Sequence, residues 1–281
     1  MRIERDAMAL SSEKLRELTL RGGSSLVIVA GTLSSLYVGG MVWTFFASAV
    51  ALISLAEFYG MLSRKFKVSK GIGFLTSGLI IFSVSEGIHP VSLVLTLSVS
   101  AFVVLFVEII RRQLRGESFA IWNMGGTISG IVYITIPWTF MILLRRLPGG
   151  GLLLLAMFIA TWSCDVAAYL IGSRWGRTLL CVNVSPNKTW EGFFGGFSAA
   201  LLASVLLAFI LEIPPIPFVY VGIICGFAGQ LGDLAESVIK RESWVKDSGT
   251  LIPGHGGVLD RFDSTLINGL LVYVLFGVIP R

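Results

Sequence analysis

Nine apolar stretches divide this sequence, and they limit its possible folds more than any other feature. A helix that crosses a bilayer needs about 20 mainly apolar residues, because each residue adds about 1.5 Å to its length. Stretches of this kind occupy residues 24–38, 41–61, 71–86, 89–110, 121–144, 150–173, 192–212, 217–238 and 264–280. They predict an all-α, polytopic integral membrane protein with about nine transmembrane helices. The third stretch is short enough for a re-entrant segment.

Composition leaves no place for a separate soluble domain. Hydrophobic residues make up 54% of the chain and charged residues 14%, a balance typical of membrane proteins. We therefore expect three regions, namely a cytoplasmic amphipathic N-terminal segment (1–23), N-terminal transmembrane helices (24–144) and a C-terminal catalytic transmembrane region (145–281). An active site in such a chain must be assembled from helix ends and short loops.

The distribution of basic residues predicts the orientation. With a cytoplasmic N-terminus, the cytoplasmic segments hold all of the 22 Lys and Arg residues except Arg145, Arg146 and Arg281. Since Lys and Arg are retained in the cytoplasmic loops of membrane proteins, we expect a multi-pass protein in this orientation. The same rule accounts for the net charge of +5 without nucleic acid as a partner.

Aspartates concentrate in the second half of the chain. All six except Asp6 follow residue 164, and they are Asp165, Asp233, Asp247, Asp260 and Asp263. A carboxylate near the hydrocarbon is costly unless it has a partner, a water-filled cavity or a metal ion. We therefore expect these later aspartates to converge, with Asp165 lying beside the others or at a metal. Glu57 and Glu108, near the ends of apolar stretches, are interpreted as reaching water and are assigned no chemistry.

Helical spacing groups several of these acids. Asp233 and Glu236 are three residues apart, as are Asp260 and Asp263, so a helix places each pair on one face. Glu236 also precedes Lys240 by four residues, which leaves two interpretations of Glu236, a local ion pair or a part in the chemistry. For Asp263 the alternative to a functional role is a cap of the last helix.

The segment from Ser237 to Ser264 mixes both signs of charge in a chain that elsewhere avoids charge. Such a mixture suits a nucleoside triphosphate, because carboxylates hold Mg²⁺ while Lys and Arg neutralise the phosphate oxygens. Gly254, Gly256 and Gly257 would let backbone N–H groups approach phosphate closely. His255 has three open interpretations, as a general base, a phosphate donor or a loop contact.

A second polar segment, SPNKTWEG, runs from residue 185 to 192. Pro186 and Asn187 predict a turn. Lys188 supplies a positive charge beside a helix start, where N–H groups favour an anion. Thr189 as the N-cap, with Glu191 in the first turn, accounts for those two residues structurally.

The longer loop resembles the signature of the phosphatidate cytidylyltransferases, also called CDP-diacylglycerol synthases. The matching positions are Ser237, Lys240, Arg241, Lys246, Asp247, Gly249, Pro253, His255, Gly256, Gly257, Asp260, Arg261 and Asp263. The segments SPNKTWEG and QLGDLAE, the latter from residue 230 to 236, are similar to that family too. The similarity covers about residues 162–264, and the first five apolar stretches share mainly hydropathy with it.

The resemblance implies that CTP and phosphatidate give CDP-diacylglycerol and pyrophosphate, with Mg²⁺ alone or with a second cation. It also implies a homodimeric enzyme of the bacterial inner membrane with its active site at the cytoplasmic face. The expected catalytic residues are Asp233, Asp260, Lys188, Lys240, Arg241, His255 and Arg261. The expected substrate-binding residues are Ser185, Lys188, Ser237, Lys240, Arg241, Lys246, Gly256 and Gly257. The expected metal ligands are Asp233, Asp260, Asp263, Asp247 and Asp165.

Two other functions stay open on the sequence. A CTP-dependent lipid-alcohol kinase would use the same nucleotide but release CDP. An ion or solute transporter would line a pathway with its intramembrane acids, although here the charges collect at one face. The GxxxxGK[ST], GxSxG and HExxH motifs are absent, so the common phosphate-loop, hydrolase and zinc-protease patterns are not indicated. The DGxxAR element of CDP-alcohol phosphotransferases is absent too.

Overall fold

The computed structural model of the chain describes residues 22–87, 91–252 and 256–279. The helices in these ranges are α1 (Gly22–Val38), α2 (Gly40–Leu62), α3 (Lys70–Ser85), α4 (Val91–Arg115), α5 (Ala120–Gly130), α6 (Ile136–Arg146), α7 (Gly150–Trp175), α8 (Trp190–Ile210), α9 (Ile216–Glu242) and α10 (Leu259–Tyr273). Short π-helical segments, Ile131–Thr135 and Val274–Val278, follow α5 and α10. Almost all of the predicted amphipathic segment, together with Pro253, Gly254 and His255, lies outside the described residues.

Seven helical segments in the described ranges are long and apolar enough to cross a membrane. They are Gly40–Leu62, Ser92–Arg115, Ala120–Arg146, Gly150–Trp175, Trp190–Ile210, Ile216–Glu242 and Leu259–Val278. The other two predicted stretches form the shorter apolar helices α1 and α3. The all-α, polytopic membrane fold is therefore confirmed, whereas the predicted number of nine spans is not.

The first half of the molecule packs around α2. Trp43 is 1% exposed, and its indole Nε1 donates a hydrogen bond to the carbonyl of Met141 on α6 at 3.2 Å. Further along α2, the hydroxyl of Tyr59 donates to the carbonyl of Thr127 on α5 at 2.6 Å. Because each bond satisfies a polar group within an apolar interior, these contacts fix how α2 lies against α5 and α6.

Arginine side chains join the helix ends on one side of this half. Arg145 Nε donates to the carbonyl of Leu36 at 3.3 Å, and Arg146 donates to the carbonyls of Val84 and Ser85 at 3.0 and 2.9 Å. The last turns of α1 and α3 therefore lie at the end of α6. These bonds occupy carbonyl groups that a helix leaves without intrahelical partners.

Small residues allow close packing in the second half. A Cβ atom at Gly196 of α8 would lie 2.9 Å from the carbonyl oxygen of Cys164 on α7, and one at Gly226 of α9 would lie 2.9 Å from Phe197 Cα on α8. Glycine at such positions lets helix backbones approach closely. Asn268 of α10 is fully buried and donates to the Thr161 hydroxyl of α7 at 2.9 Å. The helices α7 to α10 thus form one packed group.

A small antiparallel hairpin connects α7 to α8, and the sequence did not indicate it. Its strands are β1 (Leu179–Cys181) and β2 (Ser185–Thr189). The predicted turn at Pro186 and Asn187 is wrong, because these residues lie in β2 and the turn occupies 182–184. Thr189 caps α8 as predicted, since its hydroxyl accepts a hydrogen bond from Gly192 N at 3.2 Å.

Candidate active site

A cavity of about 670 Å³ opens where α7, the hairpin, α9 and α10 meet. The charged side chains that line it are Asp165, Lys188, Asp233, Lys240, Asp247, Asp260, Arg261 and Asp263. The structure thus brings together all the aspartates from the second half of the chain, along with three of the expected cations. Asp165, isolated in the sequence, reaches this cavity from α7.

One side of the cavity, which we call the open wall, consists of Asp165, Lys188 and Asp233. Lys188 Nζ at the end of β2 lies 2.5 Å from Asp233 Oδ2 on α9, and the two side chains are 26% and 34% exposed. Ser237 Oγ lies 3.5 Å from Asp233 Oδ1, at the limit of a hydrogen bond. An ion pair this exposed exchanges readily with water and ligands, since it gains little from desolvated charge.

A second part of the site, the closed wall, consists of Lys240 and Asp260 from the cavity lining together with Glu236 and Ser248, which bind them. Lys240 Nζ donates to Glu236 Oε2 at 2.7 Å and to Asp260 Oδ1 at 2.8 Å. The side chains of Lys240, Glu236 and Asp260 are 13%, 0% and 4% exposed. The local ion pair proposed for Glu236 is therefore present, and Lys240 extends it to a carboxylate on another helix.

Asp260 organises the loop that precedes α10. Its Oδ2 accepts hydrogen bonds from Ser248 N at 2.9 Å, Ser248 Oγ at 2.8 Å and Gly257 N at 2.8 Å. Gly256 has a φ of +83°, a conformation that glycine adopts without strain. Gly256 thereby turns the chain so that the next N–H group reaches Asp260.

Asp263 lies one helical turn after Asp260. Because α10 begins at Leu259, Asp263 belongs to its second turn, and the interpretation of Asp263 as a helix cap is wrong. Its Oδ1 accepts a hydrogen bond from Ser264 N at 2.6 Å. Asp260 and Asp263 both line the cavity, as their spacing on a helix predicted.

Several expected site residues lie around the cavity rather than among its lining. Arg241 is exposed, and its Nε donates to the carbonyl of Val184 in the hairpin at 3.3 Å. Lys246 is exposed on the loop. The remaining residues of this group are Ser185, Ser237, Gly256 and Gly257. His255 is outside the described residues.

Glu57 was missed by the sequence analysis. Its carboxylate accepts hydrogen bonds from Val258 N at 2.9 Å and Leu259 N at 2.8 Å, so the interpretation that it simply reaches water is wrong. The same interpretation is wrong for Glu108, which is 2% exposed and pairs with Arg111. The available signal was an acid in an otherwise apolar stretch, which requires a partner.

The cavity is rich in carboxylates, the side chains that hold Mg²⁺ in proteins. Carboxylate oxygens are the ligands that Mg²⁺ prefers, and Mg²⁺ usually takes one or two of them together with substrate phosphates and water. Among the residues that the structure describes, no three His, Cys, Asp or Glu side chains form a metal cluster. Glu236 Oε1 is buried without a hydrogen-bond partner there. The carboxylates of the cavity offer the oxygen donors of such a shared site, with the remaining positions left to phosphate and water.

Comparisons with known proteins identify the family of this chain. The profile described as the cytidylyltransferase family matches residues 19–279. A protein of Staphylococcus aureus (strain COL) named phosphatidate cytidylyltransferase is 34% identical over 266 residues, which cover 92% of this chain and 99% of that protein. A protein of the same name from Bacillus subtilis (strain 168) is 33% identical over 243 residues, covering 85% and 90% of the two chains. The predicted resemblance is thus confirmed, and the chain belongs to the cytidylyltransferase family.

Proposed function

We propose that this protein is a phosphatidate cytidylyltransferase, which transfers a cytidylyl group from CTP to phosphatidate and forms CDP-diacylglycerol and pyrophosphate. The observation that carries the proposal is the cavity at the ends of membrane helices, where aspartates and cations from four parts of the chain meet. Both substrates carry phosphate, and one is a lipid. A charged cavity bounded by apolar helices suits that combination.

The cations of the cavity have a direct part in this proposal. Lys188, Lys240 and Arg261 line the cavity, and Arg241 lies at the hairpin beside it. These side chains would neutralise the triphosphate and the phosphate of the lipid, which otherwise repel each other. Lys188 can turn from Asp233 toward a phosphate at little cost, because their ion pair is partly exposed.

Asp233 and Asp260 would hold Mg²⁺, with Asp263, Asp247 and Asp165 near enough in the same cavity to assist. When bound, the ion supplies positive charge to the polyphosphate and to the leaving group. The aspartates themselves fix where that charge lies relative to Lys188 and Lys240. The carboxylate oxygens also occupy positions in the cavity that phosphate oxygens therefore cannot take.

In the proposed reaction an oxygen of the phosphatidate phosphate attacks the α-phosphorus of CTP. A new P–O bond forms, the bond between the α-phosphorus and the bridging oxygen breaks, and pyrophosphate leaves with that electron pair. The attacking oxygen is already anionic at neutral pH, so the protein need not remove a proton. Catalysis then depends on alignment and on charge neutralisation by the cavity residues.

We further propose a cytoplasmic active site in the bacterial inner membrane. The basic residues support this, since those that favour the cytoplasm flank the segments that build the cavity. Arg145 and Arg146 instead bind helix ends at α6, where the opposite face is expected. The homodimer that the resemblance implies stays a prediction.

The experiment that tests the function uses purified protein with CTP labelled at the α-phosphate, phosphatidate and Mg²⁺. We expect label in CDP-diacylglycerol, release of pyrophosphate, and loss of both when a chelator removes Mg²⁺. Asp233→Asn should abolish turnover, whereas Glu117→Gln, which changes an exposed acid away from the cavity, should not. Transfer of the γ-phosphate with release of CDP would instead identify a lipid-alcohol kinase. Solute flux into vesicles without CTP turnover would identify a transporter.

A further inference from the structure

Glu57 connects the first half of the molecule to the candidate active site. Its Oε1 accepts a hydrogen bond from Val258 N at 2.9 Å, and its Oε2 accepts one from Leu259 N at 2.8 Å. These N–H groups lie at the start of α10, where a helix leaves donors without intrahelical partners. The N-cap residue of α10, Val258, makes no side-chain capping hydrogen bond. A carboxylate from α2 therefore takes the place of a local N-cap.

The loop before α10 fits closely around this carboxylate. A Cβ atom at Gly249 would lie 2.6 Å from Glu57 Oε1, and one at Gly257 would lie 2.6 Å from Glu57 Oε2. Both distances are far shorter than the usual separation of nonbonded heavy atoms, about 3.5–4.0 Å. Glycine at these two positions therefore lets the loop backbone reach Glu57.

Glu57 and Asp260 bind neighbouring atoms of the same loop. Gly257 N donates to Asp260 Oδ2 at 2.8 Å, and the next N–H group, that of Val258, donates to Glu57. Ser248 Oγ lies 2.8 Å from Asp260 Oδ2 and 3.3 Å from Glu57 Oε2. Ser248 and Gly257 hold Asp260 in its orientation toward Lys240 and the cavity. A displacement of Glu57 would therefore shift these two residues and, with them, Asp260.

We infer that Glu57 is a positioning residue for Asp260, and that it fixes the loop and the first turn of α10 from a helix of the other half of the molecule. Glu57 is not among the cavity-lining residues, so it acts through Asp260 rather than on substrate. Small misplacements of a reacting group lower rates strongly. The kinetic part of this inference rests on the proposed function, and the structural part does not.

The test replaces Glu57 by Gln, which keeps the length of the side chain but presents an N–H₂ group to one of the two backbone donors. At saturating substrate we expect kcat to fall about tenfold to a hundredfold, with a KM for CTP close to that of the wild type. Amide hydrogen exchange at Val258 and Leu259 should accelerate. Glu108→Gln is the matched control, because Glu108 is a buried acid of the same half whose partner is Arg111. It should leave exchange at those two amides unchanged.

A kcat within about twofold of the wild type, together with unchanged exchange at both amides, would overturn the inference. If the wild-type protein formed no CDP-lipid at all, the proposed function would fail, and amide exchange would still decide the position of Glu57. The two failures are therefore distinguishable.

A second pair of variants keeps the charge and tests the same contact by size. Gly249→Ala places a methyl group against Glu57 Oε1, so it should lower kcat in the same way. Glu57→Asp withdraws the carboxylate by one methylene and makes room for that methyl group. The double variant should therefore lose less activity than the product of the two single losses. If the double variant lost activity by the product of the two single losses, the contact would be contradicted. This cycle also provides the test in case Glu57→Gln does not fold.

Discussion

On the open wall of the cavity Lys188 meets Asp233 in one ion pair with both side chains partly exposed, whereas on the closed wall Lys240 binds two nearly buried carboxylates. Exposed ion pairs contribute about 0–1 kcal/mol to stability, whereas removing one partner of a buried pair costs about 3–5 kcal/mol. The same residue types thus serve two purposes. On the proposed function, the closed wall would maintain the shape of the site, and the open wall would exchange a protein partner for a substrate.

The largest effect is expected at the centre of the closed wall. Lys240→Met would leave Glu236 and Asp260 close together without a cation, so the free energy of unfolding should fall by about 3–5 kcal/mol and turnover should be lost. Unfolding in detergent, followed by heat or denaturant, measures the first effect. Lys246→Met, which changes an exposed lysine nearby, should alter the unfolding free energy by less than about 0.5 kcal/mol. Equal stability of the two variants would show that Lys240 does not hold the closed wall together.

Asp260→Asn should distinguish the structural role of the closed wall, measured as stability, from its proposed catalytic role, measured as turnover. Lys240 keeps Glu236 as a partner, and the amide oxygen of asparagine can still accept a hydrogen bond, so the stability loss should be smaller than that of Lys240→Met. Turnover should nevertheless fall about a hundredfold to a thousandfold, because a charge beside the reacting phosphates is lost. Size-exclusion chromatography in detergent checks that the variant is folded. Normal activity would reject the proposed role of Asp260.

On the open wall the balance between stability and activity should reverse. Lys188→Met removes one partly exposed ion pair, so the free energy of unfolding should change by less than about 1 kcal/mol. The KM for CTP should rise about tenfold, the effect of losing roughly 1.4 kcal/mol of binding. Steady-state kinetics and unfolding of the same preparation give both numbers. A stability loss as large as that of Lys240→Met would show that the open wall is structural too.

Salt should produce the smallest effect. Raising the ionic strength from 0.1 to 1 M shortens the screening length from about 10 Å to about 3 Å, which weakens exposed charges more than buried ones. The KM for CTP should therefore rise severalfold while the unfolding temperature stays nearly constant. Lys188→Met should show a weaker salt dependence of KM. An equal dependence in both proteins would place the salt-sensitive contact elsewhere.

Features that depend on local spacing were predictable from the sequence. Glu236 and Lys240 are one helical turn apart and form the expected ion pair, and Thr189 caps the helix that follows it. The membrane fold, the family and the enzyme class followed from hydropathy and from the residues of one loop. Each of these depends on residues that are close in sequence, where geometry is nearly fixed by the backbone.

The convergence of the later aspartates was predicted from the cost of charge in a membrane, but the individual contacts between distant residues were not predictable. Lys240 bridges to Asp260 across 20 positions, and a periodic pattern on α9 gives no sign of that partner. The hairpin was missed because SPNKT lacks the apolar alternation typical of a strand and contains only one β-branched residue, Thr189. The two shorter helices were counted as spans because hydropathy alone does not fix helix length.

The bond between Glu57 and Val258 joins residues 201 positions apart, and this separation has a consequence for biosynthesis. A ribosome completes α2 long before it reaches α10, so the carboxylate of Glu57 has no amide partners while the intervening helices are inserted. Local pairs form first, since closing a long loop costs more conformational entropy. Under the role inferred for Glu57, the site is therefore complete only once α10 has docked against α2.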